Sequence, residues 1–72
     1  MERQPISSSN IVSAGYDAVT QTLELEFKGG IVWQYPSVPE YMWFELLVAP
    51  SQGKYFLSQI RPMFGELGFR VQ

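Results

Sequence analysis

The sequence predicts a small α+β domain in which a three-stranded antiparallel sheet is followed by two helices, in the order β-β-β-α-α. Two features of the chain lead to this prediction. Apolar and polar residues alternate on both sides of a double glycine between residues 20 and 35, which is typical of a hairpin with one buried face. Further on, helix-start residues precede two segments that Pro50 separates. The 72 residues suffice for one domain with a thin core.

The first strand is predicted at residues 10–16. Gly15 lies near its end and indicates a β-bulge there. The following residues, 17–20, are expected to form a turn in which the Asp17 carboxylate accepts hydrogen bonds from nearby backbone N–H groups. The chain then reverses into the second strand.

The second strand, predicted at residues 20–28, has the strongest periodic pattern in the chain. From residue 23 its odd-numbered positions carry leucine or phenylalanine, and from residue 24 its even-numbered positions carry charge. Gly29 and Gly30 make the turn, and the return strand alternates in the same way. The apolar members of the two strands are Leu23, Leu25, Phe27, Ile31, Trp33 and Tyr35.

The length of the glycine loop decides which face of the sheet Trp33 and Tyr35 occupy. A two-residue turn places both rings on the charged face, toward solvent. A three-residue loop with Gly30 in the left-handed conformation pairs Leu25 with Trp33 and buries one consistent apolar face. We favour the three-residue loop, because the shorter turn would bury the Gln34 amide without a partner. Trp33 and Tyr35 are then mainly packing residues.

The first helix is predicted at residues 38–49. Ser37 and Glu40 fit a capping box, with Pro39 in the first turn, and Pro50 ends the helix. Ser51 is expected to cap a second helix over residues 52–61, which Pro62 ends. The tail, residues 62–72, either adds a short strand or forms an extension.

The first helix carries more apolar surface than one thin sheet can cover. At about 100° per residue, Met42, Trp43 and Leu46 face the core, whereas Tyr41, Phe44 and Val48 form a separate stripe. This stripe requires a cover, which is either the chain's own tail, a second copy of the chain or a partner protein.

Composition excludes several functional classes. The chain has no cysteine and no histidine, so it has no disulfide, no thiolate site and no Ser-His-Asp triad, and we expect no metal and no cofactor. The net charge of −2 gives no long-range attraction to phosphate. The N-terminus lacks a signal-peptide pattern, and the longest apolar run is too short to cross a bilayer. We therefore expect a cytoplasmic protein without membrane contact.

An ordered set of short elements runs along most of the chain: Ser9-x-Ile11, Gly15-Tyr16-Asp17, Thr22-Leu23-Glu24-Leu25-x-Phe27, Gly30, Trp33-x-Tyr35, Val38-Pro39, Ala49-x-Ser51-x-Gly53-x-Tyr55-Phe56 and Ile60-Arg61. This ordered set resembles the KTSC domain. This family occurs as a free-standing bacterial and phage protein and at the C-terminus of some lysyl-tRNA synthetases, and it has no established activity. The resemblance implies a KTSC-like domain at residues 8–61, which leaves a C-terminal extension at 62–72. The polar, serine-rich composition before it predicts a flexible N-terminus at residues 1–7.

The first functional hypothesis is a non-enzymatic protein-interaction module that binds a partner protein or a second copy of itself. Its contact residues would be Tyr41, Phe44, Val48 and Leu57. The family tends to have polar residues at the positions of Tyr41 and Phe44 and asparagine at Leu57, so the stripe is mostly this chain's own addition. A phage-encoded factor that docks on a host protein would fit this description.

The alternative hypothesis is RNA binding. Bases would stack on exposed Trp33 and Tyr35, and Lys28, Lys54 and Arg61 would lie near phosphates. We expect no catalytic activity, because no two carboxylates converge in the predicted fold. The two carboxylates of the second strand, Glu24 and Glu26, are expected on its solvated face.

Overall fold

The computed structural model describes every residue from Met1 to Gln72. The α+β class is confirmed, but the antiparallel sheet has five strands in the order β1-β2-β3-β4-β5 rather than three. The strands are β1 (Gln4–Pro5), β2 (Ile11–Asp17), β3 (Thr22–Phe27), β4 (Ile31–Tyr35) and β5 (Phe69–Arg70). The helices are α1 (Glu40–Val48) and α2 (residues 52–64).

Two short strands beyond the three predicted ones lie at the edges of the sheet, and one of them is the tail strand that the sequence left open as an alternative. In β1, Gln4 pairs with Ala14, and this strand belongs to the segment expected to be flexible. Ile6, which follows it, is buried in the core. In β5, Phe69 pairs with Gln34, so the tail adds a strand. Each edge strand has only two residues, which is too short to produce a detectable alternation.

The predicted register of the central hairpin is confirmed. Leu25 lies opposite Trp33, and Leu23 lies opposite Tyr35. The connecting loop has three residues, and both of its glycines have positive φ, 89° at Gly29 and 77° at Gly30. Glycine adopts this region without steric cost, which fixes the loop length and therefore the face on which the aromatic rings lie.

The predicted bulge at Gly15 is wrong, because the irregularity of β2 lies between Ile11 and Ser13. The glycine serves a different purpose: a Cβ atom at this position would collide with the backbone carbonyl oxygen of Glu2. Gly15 therefore allows the N-terminal segment to lie close to the sheet. The prediction for the next turn is confirmed, since the Asp17 carboxylate accepts the Val19 N–H at 2.9 Å.

The capping box predicted for α1 does not form. The N-cap position is occupied by Pro39, and Ser37 has a φ of 65°. Tertiary contacts set this conformation, because the Val38 N–H donates to the Gln21 carbonyl at 2.9 Å and the Tyr16 hydroxyl donates to the Val38 carbonyl at 2.5 Å. These two bonds anchor the backbone of Val38, so Ser37 lies two residues before the N-cap and cannot cap α1.

The second helix begins as predicted but does not end at Pro62. The Ser51 hydroxyl caps it by accepting the Lys54 N–H at 3.3 Å. The helix contains a π-helical turn at Phe56–Ile60 and continues to Phe64. A proline ring normally clashes with the carbonyl four residues earlier, and a π turn shifts that carbonyl out of register. The helix can therefore pass through Pro62 and bring Phe64 into the core.

Both helices pack on one face of the sheet, and the opposite face is polar. On the polar face, the N-terminal segment places Arg3 over Glu24, and the Arg3 Nη1 atom is 2.6 Å from the Glu24 Oε2 atom. The Gln34 amide also donates to Glu24 at 2.8 Å, and Ser13 donates to Glu26 at 2.8 Å. The expectation of a solvated Glu24 is wrong, because this residue is only 7% exposed.

Burial alone raises the pKa of Glu24. Hydrogen bonds from Gln34 and Arg3, together with the positive charge of Arg3, outweigh that effect and hold the pKa below its ordinary value. The carboxylate is thus charged and fully partnered under the N-terminal segment.

Candidate basic-aromatic groove

An open groove of about 690 Å³ lies at the end of the sheet that carries the β3–β4 loop. One wall is formed by the loop that precedes β2, and the facing wall is α2. Residues of β4 and of the β3–β4 loop form its floor and rim. We call this feature the basic-aromatic groove.

The groove brings together all five residues of the RNA-binding hypothesis. Three of the five basic residues of the chain line it, and none of its lining residues is an aspartate or glutamate. The groove is therefore locally cationic in a chain whose net charge is −2. The five residues are Lys28 from the β3–β4 loop, Trp33 and Tyr35 from β4, and Lys54 and Arg61 from α2.

The two aromatic rings of β4 differ in accessibility. Trp33 is half-buried, whereas Tyr35 is only 5% exposed, which confirms its predicted packing role; the RNA-binding hypothesis, which needed Tyr35 exposed, is wrong on this point. The rings stack with their centroids 6.3 Å apart, and Tyr35 also meets Phe56 edge to face at 5.7 Å. Tyr35 therefore packs against Trp33 from the core, and Trp33 is the more accessible ring of the pair.

Arg61 influences the ionisation of the tyrosine beneath the groove. Burial raises the pKa of the Tyr35 hydroxyl, and the positive charge of Arg61 opposes this effect. The Arg61 guanidinium therefore lies near enough to Tyr35 to affect its ionisation.

The π turn explains how α2 presents a continuous wall. Gly53, Leu57, Arg61 and Gly65 all line the groove at intervals of four residues. In a regular α-helix each four-residue step drifts by about 40°, or about 120° over three steps. The π turn at Phe56–Ile60 accommodates about one extra residue and removes most of that drift.

The other wall comes from residues that the sequence interpretation did not include in a site. Ser8, Ser9 and Asn10 line the groove, and the Ser8 hydroxyl accepts the Asn10 N–H at 3.3 Å. The wall is attached to α2, since the Ser7 N–H donates to the Gln52 side chain at 2.9 Å. Its only sequence signal is the polar run SSSN before the first strand.

The residues of the protein-interaction hypothesis lie on two different surfaces. Tyr41, Phe44 and Val48 form one stripe on α1, and they are 59%, 55% and 79% exposed. Leu57 is 52% exposed but lines the basic-aromatic groove. On the α1 side of α2, Tyr55 instead donates its hydroxyl to Glu45 at 2.6 Å.

The tail does not cover the α1 stripe. It runs along β4 as β5, and Phe64, just before it, is buried in the core. Leu67 and Phe69 are themselves about half exposed. The stripe is therefore open in the single chain. The rest of α1 is well packed, with Trp43 stacked on Tyr16 at 5.8 Å.

Two further features of the structure concern metal binding and membrane insertion. No three Asp or Glu side chains lie close enough together to bind a metal ion. None of the helices has the length and apolar character needed to span a bilayer.

The fold is that of a small α+β module in which helices cover one face of an antiparallel sheet. The sequence model of the KTSC domain matches residues 7–64, and the chain belongs to this family. The match begins one residue earlier and ends three residues later than the expected domain at 8–61. It thus includes the part of α2 that continues through Pro62.

Relatives support the same assignment. A protein of Tsukamurella paurometabola is 41% identical over 61 residues, which cover 85% of this chain and 91% of that protein. The crystal structure of a KTSC domain protein from Yersinia pestis matches with a TM-score of 0.89 and 38% identity, covering 99% and 97% of the two chains. The lysine–tRNA ligase of Trichormus variabilis is 45% identical over 49 residues, which cover 68% of this chain but 9% of the ligase.

Proposed function

We propose that this protein is a non-catalytic module that binds single-stranded RNA in the basic-aromatic groove. The main support for the proposal is that Lys28, Lys54 and Arg61 line the same groove as Trp33, and that no acidic residue lines it. Cationic grooves with an aromatic ring bind single strands by neutralising phosphates and stacking bases.

The expected affinity is modest and depends on salt. Each phosphate contact to a single strand contributes about −0.7 to the slope of log K against log salt, so three cations predict a slope near −2. Stacking on one aromatic ring contributes about 1–3 kcal/mol per base. The acidic remainder of the chain provides no long-range attraction, so binding depends on the groove itself.

The similarity to lysine–tRNA ligases supports an RNA ligand. In those proteins a segment like this one makes up 9% of the chain, and the name of the enzyme states that it ligates lysine to a transfer RNA. An RNA-binding role would suit both that setting and a free-standing module.

Fluorescence titration with a short single-stranded RNA at low salt tests the proposal. A Trp43→Phe background leaves Trp33 as the only tryptophan, because the chain contains two. We expect quenching on binding, and weaker binding for Lys54→Gln and Arg61→Gln. Val19→Glu is the charge-matched control, because it also makes the net charge more negative by one, and Val19 is 93% exposed in a turn and does not line the groove.

The proposal fails if low-salt titration produces no quenching. It also fails if Val19→Glu weakens binding as much as the two groove variants do. In that case the attraction would reflect overall charge and not the groove.

We also propose a second function, which is a protein contact through the α1 stripe, in the simplest case with a second copy of the chain. The observation that favours it is the exposure of Tyr41, Phe44 and Val48 on one helix face. Sedimentation velocity should detect a dimer that Phe44→Glu abolishes. Val19→Glu is the control, since Val19 is 93% exposed in a turn remote from α1. A monomer at all concentrations would contradict self-association.

A further inference from the structure

The polar lining of the groove consists mainly of hydrogen-bond donors. Lysine and arginine side chains donate and never accept. The Ser8 oxygen already accepts the backbone N–H of Asn10 and, at 3.4 Å, that of Ile11, and the Ser51 oxygen accepts that of Lys54. The O–H groups of both serines are therefore left to donate. A lining of this kind selects a ligand group that is rich in acceptors and negatively charged.

The groove carries more positive charge than one internal phosphodiester would neutralise. Its volume of about 690 Å³ is in the range of small-molecule pockets, so it encloses a nucleotide-sized group and not a long stretch of strand. An internal phosphodiester carries one negative charge, whereas a phosphate monoester carries about −1.5 to −2 at pH 7 and three acceptor oxygens. Three cations in one small groove match the monoester better.

The aromatic pair also limits the number of bases. Tyr35 packs beside Trp33 with the ring centroids 6.3 Å apart and is only 5% exposed, so of this pair only Trp33 is accessible to a base from the groove. One stacked base beside a cluster of hydrogen-bond donors is the arrangement expected for the end of an RNA strand.

We propose, on the basis of the proposed function above, that the groove binds the terminal nucleotide of an RNA strand through its phosphate monoester, with the terminal base stacked on Trp33. A mononucleotide presents the same chemistry and would bind in the same way. Lys28, Lys54 and Arg61 provide the charge, and the Ser8 and Ser51 hydroxyls provide further donors.

One RNA sequence prepared in three forms tests this inference, with a 5′-phosphate, with a 3′-phosphate or with hydroxyls at both ends. Titration in the Trp43→Phe background should show at least tenfold tighter binding of one phosphorylated form than of the hydroxyl form. Equal binding of all three forms would overturn the terminal-phosphate inference and leave RNA binding intact. Absence of binding by every form would overturn both.

The dependence on pH provides an independent readout. The second ionisation of a phosphate monoester occurs near pH 6. The groove holds only Lys28, Lys54, Arg61 and Tyr35 as charged or titratable side chains, and the chain contains no histidine, the residue that ordinarily titrates between pH 5 and 8. Affinity for the phosphorylated form should rise several-fold from pH 5 to 7.5, because the ligand gains negative charge. A flat profile identical to that of the hydroxyl form would contradict the inference.

Variants connect this preference to the groove. Arg61→Gln should reduce the difference between phosphorylated and hydroxyl RNA, and the charge-matched Val19→Glu should preserve it, since Val19 is exposed and does not line the groove. Far-UV circular dichroism of both variants establishes that they are folded. A preference that persists unchanged in Arg61→Gln and in Lys54→Gln would place the phosphate elsewhere and overturn the assignment.

Discussion

Replacement of Arg3 by glutamine should destabilise the protein at neutral pH. Arg3 lies on the polar face of the sheet, where its guanidinium is 2.6 Å from the buried Glu24 carboxylate. The variant leaves Gln34 as the only side chain bonded to a carboxylate that is 7% exposed. An unpartnered buried charge is costly, because protein replaces the water that would otherwise solvate it.

The magnitude follows from the exposure of the pair. Hydrogen bonds to charged groups contribute about 1.5–3 kcal/mol, whereas exposed ion pairs contribute about 0–1 kcal/mol. The Arg3 side chain is 27% exposed and that of Glu24 is 9% exposed, so the pair lies between these cases. We expect a loss of about 1.5 kcal/mol, which corresponds to a decrease in Tm of about 6–12 °C for a domain of this size.

The loss should depend on pH in a defined direction. Because the folded-state pKa of Glu24 is depressed, its contribution to stability is present above the unfolded-state pKa and is lost as pH falls through the folded-state pKa. The difference between wild type and Arg3→Gln should therefore be largest near pH 7 and small below the folded-state pKa of Glu24. Urea denaturation at neutral and acidic pH measures both differences.

A double-mutant cycle with Glu24→Gln isolates the pair. Arg3→Gln should cost much less in the Glu24→Gln background, because no buried charge is then left without its partner. An equal loss in both backgrounds, or an equal loss at neutral and acidic pH, would refute the electrostatic explanation.

Three further changes test the fold. Gly30→Ala should lower the free energy of unfolding by about 1–2 kcal/mol in urea denaturation, since Gly30 has a φ of 77° that alanine adopts only with strain; an unchanged midpoint would contradict the left-handed loop. Ser51→Ala removes the cap of α2 and should cost about 1 kcal/mol by the same measurement, whereas Ser51→Asp should retain most of the stability. Leu46→Ala should cost about 2–5 kcal/mol because Leu46 is fully buried, and Phe44→Ala should cost far less in the isolated chain; comparable losses would show that the α1 stripe is packed.

The elements that the sequence predicts correctly are those whose local pattern agrees with their tertiary surroundings. The hairpin alternates over both strands, and its glycine loop permits only one register that buries a consistent apolar face. Ser51 caps α2 through a bond to Lys54, three residues away, so the necessary information is local. The same holds for the turn that Asp17 closes.

The errors arise where distant residues override a local pattern. Ser37 fits a capping box, but the Val38 N–H donates to the Gln21 carbonyl and the Val38 carbonyl accepts the Tyr16 hydroxyl, so α1 begins after Pro39 and Ser37 does not cap it. Pro62 normally ends a helix, but the preceding π turn changes the register of the carbonyls. The edge strands β1 and β5 are too short to form a pattern and depend on pairing with β2 and β4.

The sequence indicates which residues could form the candidate site, but it does not show that they share one groove. Lys28, Trp33, Lys54 and Arg61 are scattered along the sequence, and they line one groove only because α2 packs against the hairpin. The serine-rich wall has only a weak sequence signal, because polar residues before a first strand are common in loose termini. Tyr35 is enclosed by Phe56 and Trp33, in agreement with the packing role that the predicted hairpin register gives it.

Backbone amide and indole chemical shifts, recorded by NMR during titration with a short 5′-phosphorylated single-stranded RNA at low salt, test the central claim most directly. The account predicts perturbations clustered at Lys28, Trp33, Lys54 and Arg61, with the α1 stripe unaffected. Perturbations confined to the α1 stripe, or no perturbation at millimolar RNA, would contradict it.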